Sequence, residues 1–426
     1  VEEVLVSTTA RMPGKKLFIL SEYVYAAENS TGYFWSKIIK RLAATQSNLH
    51  VLAPRTTEAE SQRHGLDGVF YHDFRRVAFN KNRLISRLVG QFRLALGFLK
   101  LLRQQVRRGD VLVSGTNPVT LLIFVPLVRR LLGFRWVLLV HDVYPDNLVP
   151  AGILNQRSLA YRSLAGYFSW VYRSADLVFV IGRDMQCLIA EKVGSQDRVR
   201  YVPNWVDEND VVPMQRSDSE ILRKLGWDRE DKVVFQFFGN LGRLQGIDNI
   251  LAAIRLIKHP NAAFLFIGSG AKADAVMEFI ASYSSSNVVY LGPLEQAQKN
   301  QGLAACDVAL ITLEKGMAGL GVPSKAYFSM AADKPLLAVM ESESEIARTV
   351  GEHQIGWVCV PGNPAALAQL IDHICDQVQP VPLGRSRDVF EHHYAEKVGL
   401  ERFVREVLLL AETTAQSAAP SCGPIP

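Results

Sequence analysis

The chain has 426 residues, 48% of them hydrophobic and 21% charged, with a formal net charge of +5. That length allows about two or three domains with sizeable cores, and the balance of apolar and charged residues excludes a disordered chain. Five scattered cysteines (Cys187, Cys306, Cys359, Cys375 and Cys422) form no CxxC pair, which argues against a zinc site or a disulfide framework and fits a reducing cytosol.

The N-terminal stretch Val1–Lys16 is too acidic and polar for a secretory signal. The first strand is expected at Lys16–Ser21, KLFILS, an uninterrupted apolar run of parallel-sheet character. Gly32 then reads as loop and Tyr33–Ala43 as an amphipathic helix, followed by a strand at His50–Ala53. From Arg75 to Arg108 the chain carries Arg75, Arg76, Lys81, Arg83, Arg87, Arg93, Lys100, Arg103, Arg107 and Arg108 and no Asp or Glu. Leu84, Leu88, Phe92, Leu96, Leu99 and Leu102 interleave at near-helical spacing. A basic amphipathic helix of this kind points to an anionic membrane surface, with Arg83, Arg87, Arg93 and Lys100 as contacts; the plainer reading is a domain helix with its apolar face in the core. The apolar runs Val119–Val128 and Phe134–Val140 are too short to cross a bilayer and read as core elements.

Further strands are expected at Val111–Ser114, Trp136–Val140, Leu177–Ile181 and Val199–Val202. After the polar stretch Asn209–Arg216 the alternation restarts: strand Val233–Phe238, helix Asn249–Lys258, strand Ala263–Gly268, helix Ala273–Ser282, then strands Val288–Leu291, Val308–Thr312 and Pro335–Val339. Strand alternating with helix predicts an α/β fold of two doubly wound parallel-sheet domains, residues 14–208 and 209–384. A helical segment, 385–412, would pack back on the first domain, and 413–426 reads as a disordered tail. Open parallel sheets bind ligands at the carboxyl ends of their strands, so the cleft between two facing sheets is the expected site.

Ordered blocks occupy those strand ends: VHDVYPD at Val140–Asp146, VPNWVD at Val202–Asp207, FFGNLGRLQGIDNIL at Phe237–Leu251, FIGSGAK at Phe266–Lys272, ACDVALITL at Ala305–Leu313 and PSKAYFSMAADKP at Pro323–Pro335. From Lys16 to about Leu410 this series resembles the family 4 glycosyltransferases, of GT-B architecture, and within them the bacterial O-antigen, colanic-acid and exopolysaccharide type. The resemblance implies two facing Rossmann-like domains, the first for acceptor and the second for the nucleotide-sugar donor. It also implies a retaining transfer in which the leaving diphosphate helps deprotonate the acceptor hydroxyl.

The glycine-containing turn after Phe238 can aim backbone amides at a diphosphate, and Arg243 adds a charge with forked donors. Asn240, Gly242, Arg243, Gln245 and Gly268 are therefore candidate donor-binding residues. Gln245 stands where many relatives carry Lys. Gly319, Gly321, Ser324 and Lys325 form a second candidate phosphate cradle. Many relatives place two glutamates here, the later contacting ribose; this chain has Leu320 and Phe328 at those places. His141, at the end of a strand, is the candidate catalytic residue; the resemblance implies that it lies beside the donor sugar and assists the transfer. Asn29, Thr31 and Gly32 belong to a loop that resembles the family's glycine-containing loop, which implies an approach to the donor phosphate and the acceptor.

No DxD or metal-spaced cluster of His, Asp and Glu appears, so neither a metal nor another cofactor is expected. The expected partners are a nucleotide-sugar, a polyprenyl-diphosphate-linked glycan acceptor and the anionic inner face of the cytoplasmic membrane; no nucleic-acid module is recognised. The competing readings are a sugar-nucleotide epimerase, which needs carboxylates in the cleft, and an inactive fold-mate that binds without turnover, which Leu320 and Phe328 would suit. An absent GxGxxG fingerprint disfavours a dehydrogenase.

Overall fold

A computed structural model of the protein describes residues 15–26, 29–45, 48–55, 66, 68–75, 84–228, 231–283, 285–377 and 381–416, with 84–88 and 413–416 by backbone alone. The expectations for Arg83, for the Arg87 side chain and for residues 14 and 417–426 lie outside the described residues.

Seven strands form the first sheet: β1 (Leu17–Leu20), β2 (Leu49–Arg55), β3 (Val69–Arg75), β4 (Val111–Gly115), β5 (Arg135–Val140), β6 (Leu177–Val180) and β7 (Val199–Tyr201). They are all parallel, in the order β3-β2-β1-β4-β5-β6-β7. Six form the second: β8 (Val233–Phe238), β9 (Ala262–Ile267), β10 (Val288–Gly292), β11 (Val308–Thr312), β12 (Leu336–Val339) and β13 (Gly356–Cys359). These too are parallel, in the order β10-β9-β8-β11-β12-β13. The strand order reverses between β1 and β4 in one sheet and between β8 and β11 in the other, the points at which such sheets open a crevice.

The helices that border the crevice, join the domains or cover the outer face are α1 (Ser30–Thr45), α2 (Leu84–Gln105), α3 (Val119–Leu132), α4 (Arg183–Val193), α5 (Lys299–Ala304), α6 (Lys325–Ala331), α7 (Glu345–His353), α8 (Arg385–His393) and α9 (Glu396–Gln416). The central strands β1 (LFIL), β4 (VLVSG) and β11 (VALIT) bury every residue, because helices cover both faces. Two strands escaped the sequence reading. In β3, VFYHDFR, polar His72 and Asp73 break the apolar run, as a half-exposed edge strand permits, and Arg75 therefore ends a strand and does not begin a helix. The other is β13, GWVC, only four residues long.

The chain returns to the first domain at its end. In α9, Phe403 packs on Phe179 with ring centroids 4.6 Å apart, and Arg41 of α1 pairs with Glu401. The guanidinium of Arg387 in α8 donates to the carbonyls of Val211, Ala331 and Glu208, fastening the chain where it passes between domains.

Candidate active site

Where β8 ends, Gly239 adopts φ 139° and Gly268, at the end of β9, φ 134°. A Cβ on Gly268 would lie 1.9 Å from the Gly239 carbonyl oxygen, so the two exit loops stack more closely than any side chain permits. The chain then turns through Asn240–Gly242. The Leu244–Gly246 segment is clamped to the end of β11: the Glu314 N–H donates to the Leu244 carbonyl at 2.9 Å, and the Thr312 hydroxyl to that of Gln245. So held, the Gln245 side chain accepts a hydrogen bond from the Lys325 ammonium at 2.7 Å.

Lys325 opens α6. Its Nζ lies 3.5 Å from the Phe237 ring centroid, no carboxylate among the described residues pairs with it, and burial pushes its pKa well below the usual lysine range. Ser324 precedes it but makes no capping hydrogen bond to the helix; its side chain lines the cleft instead. Asn240, Gln245, Ser324, Lys325 and Asn29 all line a cavity of about 450 Å³ between the two sheets.

A second cavity of about 220 Å³ shares Ser30, Gln245, Val322, Pro323 and Ser324 with the first and continues to His141, Asp142, Thr31 and Gly321. The His141 backbone N–H donates to the Thr116 hydroxyl at 3.3 Å. The ring's Nε2 is buried without a hydrogen-bond partner among the described residues, and burial lowers its pKa to about 4, so the imidazole is neutral near pH 7. Burial raises the Asp142 carboxyl to about 6. Asp142 also forms a backbone bridge to Gly321, and the Val143 N–H donates to the Leu320 carbonyl at 3.0 Å. Leu320 is buried, so the first of the two usual glutamate places serves an apolar contact between domains.

Four expectations need revision. Asn29–Gly32 is not a loop: the Asn29 carboxamide accepts the Gly32 N–H at 2.9 Å and starts α1 one residue on. Gly32 is a packing glycine, since a Cβ there would sit 2.1 Å from the Tyr25 carbonyl oxygen. Gly319 faces away from the cavities and donates its N–H to the Asp184 carboxylate at 2.9 Å. Gly242, Gly268 and Arg243 do not line the cavities; Gly242 shapes the turn, Gly268 lets the β9 exit loop stack on Gly239, and Arg243 is exposed beside the turn, with no ion pair among the described residues.

The model of the Glycosyl transferase 4-like domain matches residues 31–205, and that of Glycosyl transferases group 1 matches residues 217–379. The "Probable glycosyltransferase WbjE" of Pseudomonas aeruginosa is 50% identical over 388 residues, spanning 91% of this chain and 96% of that one. The chain is a family 4 glycosyltransferase. Its fold matches that of Anabaena HepE, solved in complex with UDP, at a TM-score of 0.68 and 14% identity over 93% of this chain and 100% of that one. It also matches the lipopolysaccharide outer core galactosyltransferase WaaB, at 0.63 and 13% over 93% and 99%. The two facing sheets are thus the GT-B architecture.

In this glycosyltransferase the cleft also holds residues that the sequence reading passed over. Tyr33 and Lys299 line the 450 Å³ cavity with Phe328, and the Lys299 Nζ stands 3.8 Å from the Phe328 ring centroid and 5.3 Å from that of Tyr33. Tyr33 is fixed from behind: its hydroxyl donates to Asp210 and accepts the Asp207 N–H, both at 2.9 Å. Lys299 sits in an ordinary polar stretch, EQAQKNQ, and nothing in its neighbours' identities marks it.

On the outer face of the first domain, α2 buries Leu94, Ala95, Phe98, Leu101 and Leu102, while Val89, Phe92 and Leu96 stay exposed with Arg93, Lys100 and Arg103. Leu127 and Leu131 of the adjoining α3 are exposed as well. Among the described residues no helix is long and apolar enough to cross a membrane.

Proposed function

We propose that this enzyme moves a sugar from a nucleoside-diphosphate sugar, with retention of anomeric configuration and without a metal ion, to a hydroxyl of a lipid-linked glycan in bacterial surface-polysaccharide synthesis. The observation that carries the reading is Lys325. A buried ammonium whose polar partner is one amide oxygen is costly to keep, and a diphosphate arriving beside it supplies the missing counter-charge. UDP is the natural donor nucleotide to try first, since HepE holds it in the same fold. The polysaccharide setting is supported by the family branch that the motifs resemble and by the role for which WaaB is named.

His141 stands in the adjoining cavity, neutral and with Nε2 unpartnered, where it suits a hydrogen bond to a hydroxyl of the transferring sugar. The acceptor hydroxyl oxygen bonds to the anomeric carbon as the bond from that carbon to the diphosphate oxygen breaks, and the hydroxyl proton passes to the departing phosphate. Lys325 balances the charge that builds on the diphosphate, and Gln245 keeps the ammonium aimed. The exposed stripe on α2, apolar residues followed by Arg93, Lys100 and Arg103, suits the anionic cytoplasmic face of the inner membrane, where a polyprenyl-linked acceptor resides.

The test is incubation of the full chain with UDP-sugars and a polyprenyl-diphosphate glycan, with and without excess chelator. Expected are UDP release, an axial or equatorial linkage matching that of the donor by NMR, and a rate that chelator leaves intact. UDP bound but never released from any UDP-sugar would make the protein a binder. A rate lost to chelator and restored by magnesium would remove the metal-free reading.

A further inference from the structure

We infer that Lys299, held between Tyr33 of one domain and Phe328 of the other, recognises the ribose hydroxyls of the donor nucleotide. The inference rests on the donor site proposed above. The lining of the 450 Å³ cavity is of two unlike kinds. One is cationic and polar, with Lys325, Gln245, Asn240 and Ser324. The other is apolar, with Phe238, Leu294 and Leu303, joined by Glu295 and Gln296, which suits a flat base with polar rims. Phe328 follows Lys325 by three positions on α6, about one helical turn and roughly 5 Å along the axis. A nucleoside diphosphate placed with its phosphates at Lys325 and its base among the apolar walls therefore sets its ribose at Phe328. There the Lys299 ammonium stands over the ring at 3.8 Å.

Lys299 is unlike a structural lysine. Lys37, nearby, pairs with Asp207, Asp210 and Glu396, whereas Lys299 has no carboxylate within ion-pair distance among the described residues and rests on two aromatic faces. It also lines a further cavity of about 330 Å³ with Tyr33, Lys37 and Asp210, so its donors are reachable from the cleft. Burial lowers its pKa to about 8, with Asp210 opposing and Lys37 adding to the shift. An ammonium donates and never accepts, so the groups it can serve are oxygens with free lone pairs, as the ribose hydroxyls are.

Calorimetric titration of the full chain with UDP and GDP, each beside its 2′-deoxy analogue, and with inorganic pyrophosphate tests this. The wild type should prefer the ribonucleotide by about fivefold or more, the net size of one hydrogen bond exchanged with water. Lys299→Met should lose that preference and bind the ribonucleotide about five- to tenfold more weakly, with pyrophosphate affinity unchanged; Lys299→Arg, which keeps donors on the ring, should retain part of the preference. A Lys299→Met protein that still prefers the ribonucleotide overturns the inference. Equal losses for pyrophosphate and ribonucleotide overturn it too, by making Lys299 a phosphate contact. A wild type that binds none of the five ligands fails at the donor site itself, and the inference falls with it. Thermal melts of both variants establish that they are folded.

Discussion

Lys325 has only an amide oxygen, an aromatic face and buried surroundings to support an ammonium charge, an arrangement that serves the free protein poorly. Lys325→Met should therefore raise the melting temperature while weakening UDP binding about 10- to 100-fold, the worth of a charge-assisted contact of roughly 1.5–3 kcal/mol. Melts and titrations of one preparation check both signs; unchanged UDP affinity would put the diphosphate elsewhere. His141→Ala should lower turnover more than UDP affinity, because the neutral ring stands in the neighbouring cavity and not beside Lys325. The same ring has a pH signature. Its folded pKa, about 4, lies below the unfolded value of 6.5, so the folded state resists its protonation. Stability from this group is present above the unfolded pKa and falls away as pH drops through the folded one. The loss is at most about 1.4 kcal/mol per pH unit in that window, and His141→Ala should flatten it in pH-dependent melts. The places of His141 and Lys325 beside the cavities were both legible in the sequence, because a strand end and a lysine that follows the glycine-bearing GLGVPS have recognisable neighbours. Lys299 was not, since its meaning comes from Tyr33, 266 positions earlier by number, and from Phe328, brought together only by the fold.

Among the elements, strands buried on both faces were the readable ones: Val233–Phe238 and Val308–Thr312 fall where continuous apolar runs place them. Polar residues hid the edge strand Val69–Arg75. Helix α2 was legible as a basic amphipathic helix, but its two faces were not separable by spacing alone. The structure commits Leu102 and Phe98 to the core and leaves Val89, Phe92 and Leu96 outside in one stripe with Arg93, Lys100 and Arg103. That division sets up a test for the proposed membrane contact. Co-sedimentation with vesicles containing anionic lipid should be strong at low salt, weak at high salt and absent for neutral vesicles, since each surface-proximal cation contributes about 1 kcal/mol. Arg93→Glu with Lys100→Glu should abolish it and spare UDP binding; retention by the double variant would return α2 to the role of an ordinary solvated helix. Phe92→Ser should weaken binding at every salt concentration, because apolar insertion is not screened.

The cleft belongs to neither domain alone, and its geometry depends on what joins them. The loop that leads into Val322, Pro323, Ser324 and Lys325 hangs from the first domain at several points. Gly319 donates to Asp184 at 2.9 Å, Leu320 accepts from Val143 at 3.0 Å, and Gly321 bridges Asp142. Asp184 also accepts the Glu345 N–H at 3.2 Å. Glu345, 1% exposed, in turn takes the Arg183 backbone N–H at 2.7 Å, its guanidinium at 3.0 Å and the Tyr201 hydroxyl at 2.9 Å. The start of α4 in one domain is thereby locked to the start of α7 in the other. Asp184 lines none of the three cavities, yet it positions the chain that carries Lys325. Asp184→Ala strands three N–H groups that now have an acceptor, those of Met185, Gly319 and Glu345, which should cost about 1–3 kcal/mol each and lower the melting temperature by several degrees. It should also weaken UDP binding, with no contact to the nucleotide, by letting the 319–325 loop drift from Gln245. A variant that melts earlier but binds UDP as the wild type does would show that the second domain holds its phosphate cradle unaided. Loss of UDP affinity measured well below the variant's melting transition would instead make the nucleotide site a property of both domains.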